Sequence, residues 1–283
     1  MLKIAIQAKG RLNEQSVSLL ADSGIQCGGG SRRLLSMATG FDMEILYLRD
    51  DDIPQAVAMG VADIGIVGLN EVAEKGERVD EVMALGFGAC RISVAVPRES
   101  GYDGPAWLNG RRIATSYPNI LRTWLDSKGI DAEIHEIAGS VEIAPAVGMA
   151  DAIFDIVSSG GTLVQNGLRE VERVFDSEAV LIATPQLPDG KREAVEKLRF
   201  RFSTILAGRG MKYLLMNLPE GSVERAVEIL PGMKSPTVLP LAAEGWFSLH
   251  AVVPESELWD KVEMLKEIGA EDILVLNLEN IIR

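Results

Sequence analysis

Residues 150–163 read Ala-Asp-Ala-Ile-Phe-Asp-Ile-Val-Ser-Ser-Gly-Gly-Thr-Leu, the most informative stretch of this chain. An apolar run that carries two carboxylates, Asp151 and Asp155, leads directly into a small turn rich in hydroxyl groups. In such a turn several backbone N–H groups and hydroxyls can face one phosphate, the glycines allow a close approach, and a following helix adds its positive end. The stretch therefore indicates a phosphosugar site, with Asp151 or Asp155 at the ribose hydroxyls. The alternative is a strand-to-helix turn that merely contains Gly-Gly, because short glycine motifs often occur without a ligand.

The length and composition of the chain predict a globular protein of two or three domains. It has 283 residues, of which 47% are hydrophobic, and this is enough for large cores. No apolar run approaches the ~20 residues that span a bilayer, and residues 1–6 alternate like a strand rather than forming a signal peptide. We therefore expect a cytoplasmic protein without a membrane partner. The formal net charge of −13 argues against a nucleic-acid partner, so local cations must meet any anionic ligand.

Strands and helices alternate along the first half of the chain, which predicts a largely parallel sheet. The predicted strands are 2–8, 43–48, 63–67, 91–96, 112–115 and 132–137, and the predicted helices are 13–22, 53–59 and 120–128. Asp51 or Asp52 is expected to cap the second helix. Residues 60–67 and 148–155 share the order Gly-x-Ala-Asp-strand, which indicates two similar lobes with a ligand in the crevice at their strand ends. The alternative is that α/β units resemble one another in any case.

The last part of the chain has a different order of elements. A long helix over 192–207 is followed by strand 212–218, helix 222–230, strands 237–241 and 246–253, helix 255–268 and strand 273–278. This is the βαββαβ order of a ferredoxin-like module. It carries no convincing catalytic cluster, so we expect a regulatory or assembly domain. The cysteines, Cys27 and Cys90, lack paired ligand spacing and indicate neither a disulfide framework nor a zinc site.

Separated segments of the chain resemble one known family in the same order. They are residues 9–12 (Lys-Gly-Arg-Leu), 49–52 (Arg-Asp-Asp-Asp), 68–71 (Gly-Leu-Asn-Glu), 112–118 (Arg-Ile-Ala-Thr-Ser-Tyr-Pro), 139–142 (Gly-Ser-Val-Glu), 158–162 (Ser-Ser-Gly-Gly-Thr) and 235–241 (Ser-Pro-Thr-Val-Leu-Pro-Leu). Together they strongly resemble ATP phosphoribosyltransferase, the enzyme that begins histidine biosynthesis. The resemblance covers essentially the whole chain. It is closest to the long, self-regulated form rather than to the short form that requires a separate regulatory subunit.

The resemblance implies an α/β fold with a two-lobed, periplasmic-binding-protein-like catalytic part and a C-terminal ferredoxin-like regulatory domain. Residues 1–88 would form lobe I together with the return segment 178–207. Residues 89–177 would form lobe II with the phosphoribosyl pyrophosphate loop, and residues 208–283 the regulatory domain. The implied reaction joins N1 of the adenine of ATP to C1 of phosphoribosyl pyrophosphate and releases pyrophosphate. The implied cofactor is Mg²⁺, which we expect the substrate phosphates to hold for the most part.

The resemblance also assigns site residues. The 5-phosphate of the sugar substrate belongs on Ser158, Ser159, Gly160, Gly161 and Thr162, with Asp155 at the ribose hydroxyls. The cations Lys9, Arg11 and Arg49 are expected to orient phosphates and stabilise the departing pyrophosphate. Asp151 is as well explained by a cap or turn role at the start of its strand. Adenine N1 is itself a lone-pair nucleophile, so a histidine base is unnecessary, and the sequence does not assign the proton acceptor.

Two residues match positions near a bound nucleotide base in this family. Asn70 would supply an amide and Tyr117 a ring face with a polar tip. The structural alternatives are that Asn70 caps the following helix and that Tyr117 packs before Pro118.

The resemblance further implies feedback inhibition by histidine, with Asn217 and Thr237 in the effector site, and a homo-oligomer that is a dimer and a hexamer. Both residues are otherwise ordinary strand and strand-end residues. The sequence leaves open whether AMP or ADP also inhibits.

Two other functions compete with this interpretation. A two-lobed small-molecule binding protein is disfavoured by the absence of an export signal and by the hydroxyl-glycine turn. A phosphoribosyltransferase for another base, on a different fold, is disfavoured by residues 9–12 and by the C-terminal match.

Overall fold

The computed structural model describes residues 1–28 and 34–282, which divide into two compact units, Met1–Arg199 and Phe200–Arg283. The strands in this part of the chain are β1 (Leu2–Gln7), β2 (Gln26–Cys27), β3 (Leu35–Thr39), β4 (Met43–Leu48), β5 (Ile64–Gly68), β6 (Asp80–Ala84), β7 (Cys90–Pro97), β8 (Arg112–Thr115), β9 (Glu133–Glu136), β10 (Ala152–Val157), β11 (Leu168–Ser177), β12 (Ala179–Ala183), β13 (Met211–Pro219), β14 (Thr237–Pro240), β15 (Trp246–Pro254) and β16 (Glu271–Asn277). The α-helices are α1 (Arg11–Asp22), α2 (Ile53–Ala58), α3 (Leu69–Lys75), α4 (Pro118–Lys128), α5 (Gly161–Gln165), α6 (Asp189–Gly208), α7 (Val223–Ile229) and α8 (Leu258–Glu267). None of these helices is both long and apolar enough to cross a membrane.

The first unit contains two sheets, and we call each sheet with its helices a lobe. Lobe I has seven strands in the order β2-β3-β4-β1-β5-β12-β6, with β4, β1 and β5 parallel at its centre. Helix α2 packs closely on this sheet because β5 carries a glycine at the contact. A Cβ atom on Gly65 would lie 2.7 Å from Cγ2 of Ile53, so only glycine lets the helix approach this far.

Lobe II has five strands in the order β11-β7-β10-β8-β9, with β10, β8 and β9 parallel. Ile153 and Phe154 are neighbours on β10, point to opposite faces of the sheet, and are both 0% exposed. The central strand is therefore covered on both faces, which agrees with its nearly continuous apolar sequence.

The sheets are mixed, and the expectation of largely parallel sheets is wrong. Strands β7 and β11 of lobe II, and β12 and β6 of lobe I, pair antiparallel with their neighbours. Strand β11 was not predicted, because it is a charge-rich edge strand that lacks a clean two-residue alternation and has two register shifts against β7. Strands β11 and β12 are consecutive, one in each sheet, so the chain returns to lobe I between them.

The acidic run after β4 also differs from the prediction. Asp50–Asp52 form a 3-10 turn that runs directly into α2, and within the described chain Asp52 makes no side-chain hydrogen bond to the helix end. Asp51 instead pairs with Arg49, whose Nε donates to Oδ1 at 2.9 Å. The expected cap by Asp51 or Asp52 is therefore absent, because the preceding turn already continues the helical path.

The second unit has the predicted βαββαβ order, β13-α7-β14-β15-α8-β16. Its four strands lie in the antiparallel order β14-β15-β13-β16, which is the ferredoxin-like arrangement. Its core contains Leu214 and Met216 of β13 and Leu249 and Ala251 of β15, each at most 4% exposed. The fold is thus α/β, with a two-lobed, periplasmic-binding-protein-like part and a ferredoxin-like module, as expected.

Candidate functional site

Strand ends from both lobes border one cleft of about 450 Å³ in the first unit. In lobe I the parallel strands β1, β4 and β5 end at one edge, and the residues that follow them include Arg11, Asp50 and Asn70. From lobe II the cleft receives Ile156 and Ser158, at the end of β10. The carboxyl ends of parallel strands are the usual place for a ligand in α/β folds, so this cleft is the candidate site.

A turn follows β10 at residues 158–162, where the sequence predicts a phosphate site, and we call these residues the phosphate turn. Strand β10 ends at Val157, residues 158–160 bend, and Gly160 adopts a left-handed φ of 78° before α5 begins. The N–H of Val164 donates to the Gly160 carbonyl at 3.2 Å, so the preceding N–H groups lie before the first turn of helical bonds. Within the described chain neither the Ser159 nor the Gly160 amide has a hydrogen-bond partner. The turn therefore offers consecutive free N–H donors to an anion.

Asp155 lies on β10, two residues before the end of the strand, and is partly buried. Desolvation raises the pKa of Asp155 to about 6, and the nearby Glu142 carboxylate adds to the rise, although the Ile156 N–H donates to the Asp155 carboxylate at 2.8 Å. Because side chains alternate along a strand, Asp155 points to the face opposite Ile156, which lines the cleft. The 3-10 turn Val141–Ile143 packs against β10, and its Glu142 is the carboxylate that adds to the raised pKa of Asp155.

Asp151 has a structural role at the other end of this strand. Its Oδ1 lies 3.1 Å from Nη2 of Arg112, and its Oδ2 accepts from the Arg112 backbone N–H at 3.0 Å. The pair lowers the pKa of Asp151. Of the two roles open for Asp151, the structure favours the turn role, because the residue lies just before β10 and the phosphate turn follows the other end of this strand.

The three predicted cations have different surroundings. Arg11 is the first residue of α1 and lines the cleft, after Gly10, whose φ of 98° only glycine adopts easily. Lys9 is exposed in the bend between β1 and α1. Arg49 is largely exposed and paired with Asp51, and it is the next residue, Asp50, that lies on the cleft wall. Arg11 is thus the cation that the structure brings into the cleft.

Asn70 and Tyr117 are brought together across the two lobes. Nδ2 of Asn70 donates to the Tyr117 hydroxyl at 3.2 Å and to Oε1 of Glu71 at 2.9 Å, and its Oδ1 accepts from Ser177 at 2.8 Å. The Tyr117 hydroxyl donates to Oε1 of Glu71 at 2.9 Å. Burial raises the pKa of Glu71, and burial beside this carboxylate raises the pKa of Tyr117. The amide and the hydroxyl are therefore held in a buried network that forms part of the cleft wall.

Two polar residues of this region were missed by the sequence reasoning. Glu71 was quoted only as part of a motif, although it is 7% exposed, lines the cleft and receives two hydrogen bonds. Arg91 is only the first residue of the predicted strand 91–96, although in the structure its Nη1 donates to the carbonyl oxygen of Ser158 in the phosphate turn at 3.1 Å. A charged residue inside an apolar strand pattern was the available signal for Arg91, but its partners are far away in sequence.

The second unit has a cavity of about 720 Å³ on one face of its sheet. Thr237 lines it, together with Tyr213 and His250, and the Tyr213 hydroxyl lies 2.8 Å from Nδ1 of His250. Asn217 is not part of this lining; its Nδ2 donates to Oδ2 of Asp272 at 3.0 Å. Of the two predicted effector residues, Thr237 therefore lines the cavity, whereas Asn217 forms a hydrogen bond that links β13 to β16.

The described residues contain no group of three or more His, Cys, Asp and Glu side chains that could hold a metal ion. The carboxylates on the cleft wall are Asp50 and Glu71, of which the first accepts from Gln7 and the second from Asn70 and Tyr117. This donor set fits a metal ion that brings most of its oxygen ligands from a bound polyphosphate, as Mg²⁺ commonly does.

Comparison with known proteins gives concordant matches. The family model described as ATP phosphoribosyltransferase matches residues 49–204, and the one described as HisG, C-terminal domain, matches residues 208–280. Proteins named ATP phosphoribosyltransferase from Parabacteroides distasonis and Cytophaga hutchinsonii are 53% and 52% identical to this chain, and each alignment covers 100% of this chain and at least 99% of the relative. Among solved structures, a chain of the ATP phosphoribosyl transferase (HisG:HisZ) complex from Thermotoga maritima matches with a TM-score of 0.63 and 32% identity, over 72% of this chain and 99% of that chain.

Proposed function

Since this chain belongs to the ATP phosphoribosyltransferase family, we propose that the cleft of its first unit binds both substrates of that reaction and holds them for transfer. The enzyme joins N1 of the adenine of ATP to C1 of phosphoribosyl pyrophosphate, giving phosphoribosyl-ATP and pyrophosphate in the first step of histidine biosynthesis. The observation that carries the site assignment is the run of free N–H donors in the phosphate turn at the end of β10. We also propose a cytoplasmic location, where ATP is available.

The phosphate turn is proposed to hold the sugar substrate by its 5-phosphate. The amides of residues 159–161 and the hydroxyls of Ser158, Ser159 and Thr162 donate to the phosphate oxygens, while Gly160 and Gly161 leave room for the anion. The side chain of Asp155 is on the face of β10 opposite the cleft-lining Ile156, so we propose that the ribose passes the end of this strand, where its hydroxyls donate to the Asp155 carboxylate and the orientation of C1 is fixed. Fixing both ends of the sugar in this way converts substrate binding into positioning, which supports transfer.

Basic side chains are proposed to stabilise the charge of the departing pyrophosphate. Arg11 on the cleft wall, together with Lys9 and Arg49 of the same lobe, is proposed to stabilise the negative charge that develops on pyrophosphate as the bond to C1 breaks. Family members generally need a divalent metal, and we propose Mg²⁺, which supplies further neutralisation of the pyrophosphate when it is bound. Asn70 and Glu71 line the cleft, and Tyr117 is hydrogen-bonded to both without being part of the lining. We propose that Asn70 and Tyr117 recognise the nucleotide base from this side.

One assay tests the proposed function. Purified protein is mixed with ATP, phosphoribosyl pyrophosphate and Mg²⁺ in the presence of pyrophosphatase, and phosphoribosyl-ATP is measured. Product formation is the expected result. Binding of either substrate without product would favour a binding protein, and product only with another base would favour a different phosphoribosyltransferase.

Asp155 is expected to give the reaction a pH dependence. Since its folded-state pKa is raised to about 6, the carboxylate form grows as the pH rises through that value, and the ionised form accepts bonds from both ribose hydroxyls. We therefore expect kcat/KM for phosphoribosyl pyrophosphate to rise between about pH 5 and 7. The 5-phosphate of the substrate itself titrates near ~6, so the measurement is the difference between the wild-type and Asp155→Asn profiles. Two superimposable profiles would contradict the assignment.

Histidine is proposed to inhibit by binding the second unit, in an assembly of identical chains that includes a dimer and a hexamer. The cavity lined by Thr237 and His250 supports a binding site of this size, and Asn217 is retained as a second proposed contact. Inhibition requires that histidine bind one conformation or assembly better than another. AMP and ADP are further candidate inhibitors, because each carries the adenine that the cleft is proposed to bind.

The effector assignment predicts a specific loss. Thr237→Val removes one hydroxyl from the cavity lining, and the histidine concentration for half inhibition should rise about tenfold, the equivalent of one hydrogen bond. Uninhibited kcat should stay unchanged, and the exposed helix variant Thr123→Val serves as the matched control. An unaltered histidine response of Thr237→Val would exclude this cavity as the effector site.

A further inference from the structure

Arg91 lies beside the phosphate turn without belonging to it. On β7 it is the register partner of Val157, the last residue of β10 before the turn. Its Nη1 donates to the carbonyl oxygen of Ser158, the first residue of the turn, at 3.1 Å. Arg91 is thus the side chain that holds the entrance of the turn from the neighbouring strand.

Glu170 on β11 fixes the position of the Arg91 guanidinium. Nε and Nη2 of Arg91 donate to Oε1 and Oε2 of Glu170, both at 2.5 Å, and the Ser93 hydroxyl donates to Oε1 at 2.7 Å. This paired fork is the most directional ion pair that a carboxylate makes. It lowers the pKa of Glu170, and both side chains are only about one quarter exposed, at 26% and 27%. The charge of Arg91 is therefore already matched, and its third nitrogen, Nη1, donates to the turn.

The geometry of a peptide unit transmits this contact to the anion site. The carbonyl of Ser158 and the N–H of Ser159 belong to one planar trans peptide and point in opposite directions. A hydrogen bond that fixes the carbonyl therefore fixes the direction of the Ser159 N–H. Within the described chain that N–H has no partner, and the same is true of the Gly160 N–H that follows it.

We infer that Arg91, held by Glu170, is a positioning residue that orients the peptide between Ser158 and Ser159 so that the Ser159 amide faces the 5-phosphate of phosphoribosyl pyrophosphate. This inference rests on the proposed function of the turn. Arg91 acts through the backbone and does not touch the phosphate. Without Arg91 this peptide is free to rotate, so the binding of phosphoribosyl pyrophosphate is weakened while the binding of ATP is unaffected.

Kinetics of the Glu170→Gln variant distinguish a positioning role of Arg91 from direct phosphate binding, because the two roles change the KM for phosphoribosyl pyrophosphate in opposite directions. In Arg91→Met the KM for phosphoribosyl pyrophosphate should rise about 10- to 100-fold, while the KM for ATP and kcat change less than about threefold. Glu170→Gln keeps the arginine but loosens its anchor, so the same KM should rise about threefold or more. If Arg91 bound the phosphate directly, releasing it from Glu170 would instead lower this KM.

Arg112→Met is the matched control. Arg112 also pairs with a carboxylate, that of Asp151, and its Nη1 also donates to a backbone carbonyl, that of Gly148 at 3.0 Å, but at the opposite end of β10. The KM for phosphoribosyl pyrophosphate should therefore stay at the wild-type value in Arg112→Met, even if this variant and Arg91→Met lose the same amount of stability, measured as the Tm. Comparable KM rises in both arginine variants would reveal a general structural effect and overturn the inference.

The outcomes also separate this inference from the proposed function. A wild-type protein that forms no phosphoribosyl-ATP refutes the proposed function itself. An active wild type in which either Arg91→Met or Glu170→Gln shows no rise in this KM refutes only the role of Arg91. If Arg91→Met fails to fold, Glu170→Gln with the Arg112→Met control decides the question.

Discussion

Gly161→Val is expected to lower kcat/KM for phosphoribosyl pyrophosphate by on the order of 10²-fold, because a valine side chain occupies the space through which the phosphate approaches the turn. The backbone itself tolerates the change. Gly161 does not have a left-handed φ, and a Cβ atom there would meet only the Ser159 hydroxyl, at an ordinary 3.7 Å. The loss should therefore appear in substrate binding rather than in folding, measured by steady-state kinetics and by the Tm.

The control for this variant is Gly190→Val. Gly190 lies in the first turn of α6, also lacks a left-handed φ, and has open space at its Cβ position. It belongs neither to the cleft lining nor to the phosphate turn, so the kinetics of this variant should match the wild type. ATP binding should survive in Gly161→Val as well. An equal loss of ATP and sugar-substrate binding in a folded Gly161→Val protein would refute the assignment of the phosphate turn.

Arg11→Ala is expected to lower kcat by on the order of 10²- to 10³-fold, the usual effect of removing one group that stabilises charge developing in a transition state. The reason is position: Arg11 lines the cleft at the start of α1, where its charge can meet the departing pyrophosphate. Ground-state binding of ATP should change much less, because ATP binds before any leaving-group charge develops. Single-turnover measurement of phosphoribosyl-ATP formation reports the chemical step directly.

The matched variant is Arg122→Ala, which removes an exposed arginine from α4 in the same unit. It has the same change of net charge, so any general electrostatic effect on polyanionic substrates appears in both proteins. A kcat of Arg11→Ala within about twofold of that of Arg122→Ala would show that Arg11 does not act on the leaving group, since a real transition-state contact costs far more.

Local patterns in the sequence predicted much of the fold. Strands β4 and β8 have the predicted ends, and α4 ends at Lys128, before Gly129, which has a left-handed φ of 66°. The βαββαβ order of the second unit and the turn after β10 also follow from signals contained within a few residues. Such signals are readable because hydrophobic periodicity, glycine conformations and capping act over one or two turns of chain.

The candidate site was predicted in its parts but not in its connections. Asn70 and Tyr117 were placed near the same ligand, yet the buried Glu71 that joins them by hydrogen bonds was not identified. Burial cannot be read for such a residue, because a glutamate after an apolar strand is typical of an exposed helix start. Whether it is exposed depends on the other lobe, which supplies the tyrosine.

The sequence by itself determined most helices and strands, the ferredoxin-like order, the turn after β10 and the family resemblance. Each of these depends on residues that are close together in the chain or on motifs that can be matched one at a time. Only the tertiary structure decided the mixed direction of the sheets, the burial of Glu71 and the contact of Arg91 with the turn. The Tyr117–Glu71 and Arg91–Glu170 pairs are 46 and 79 residues apart in the chain. The first contact exists only once both lobes have folded and the second only once the sheet of lobe II has formed, so no local preference encodes them.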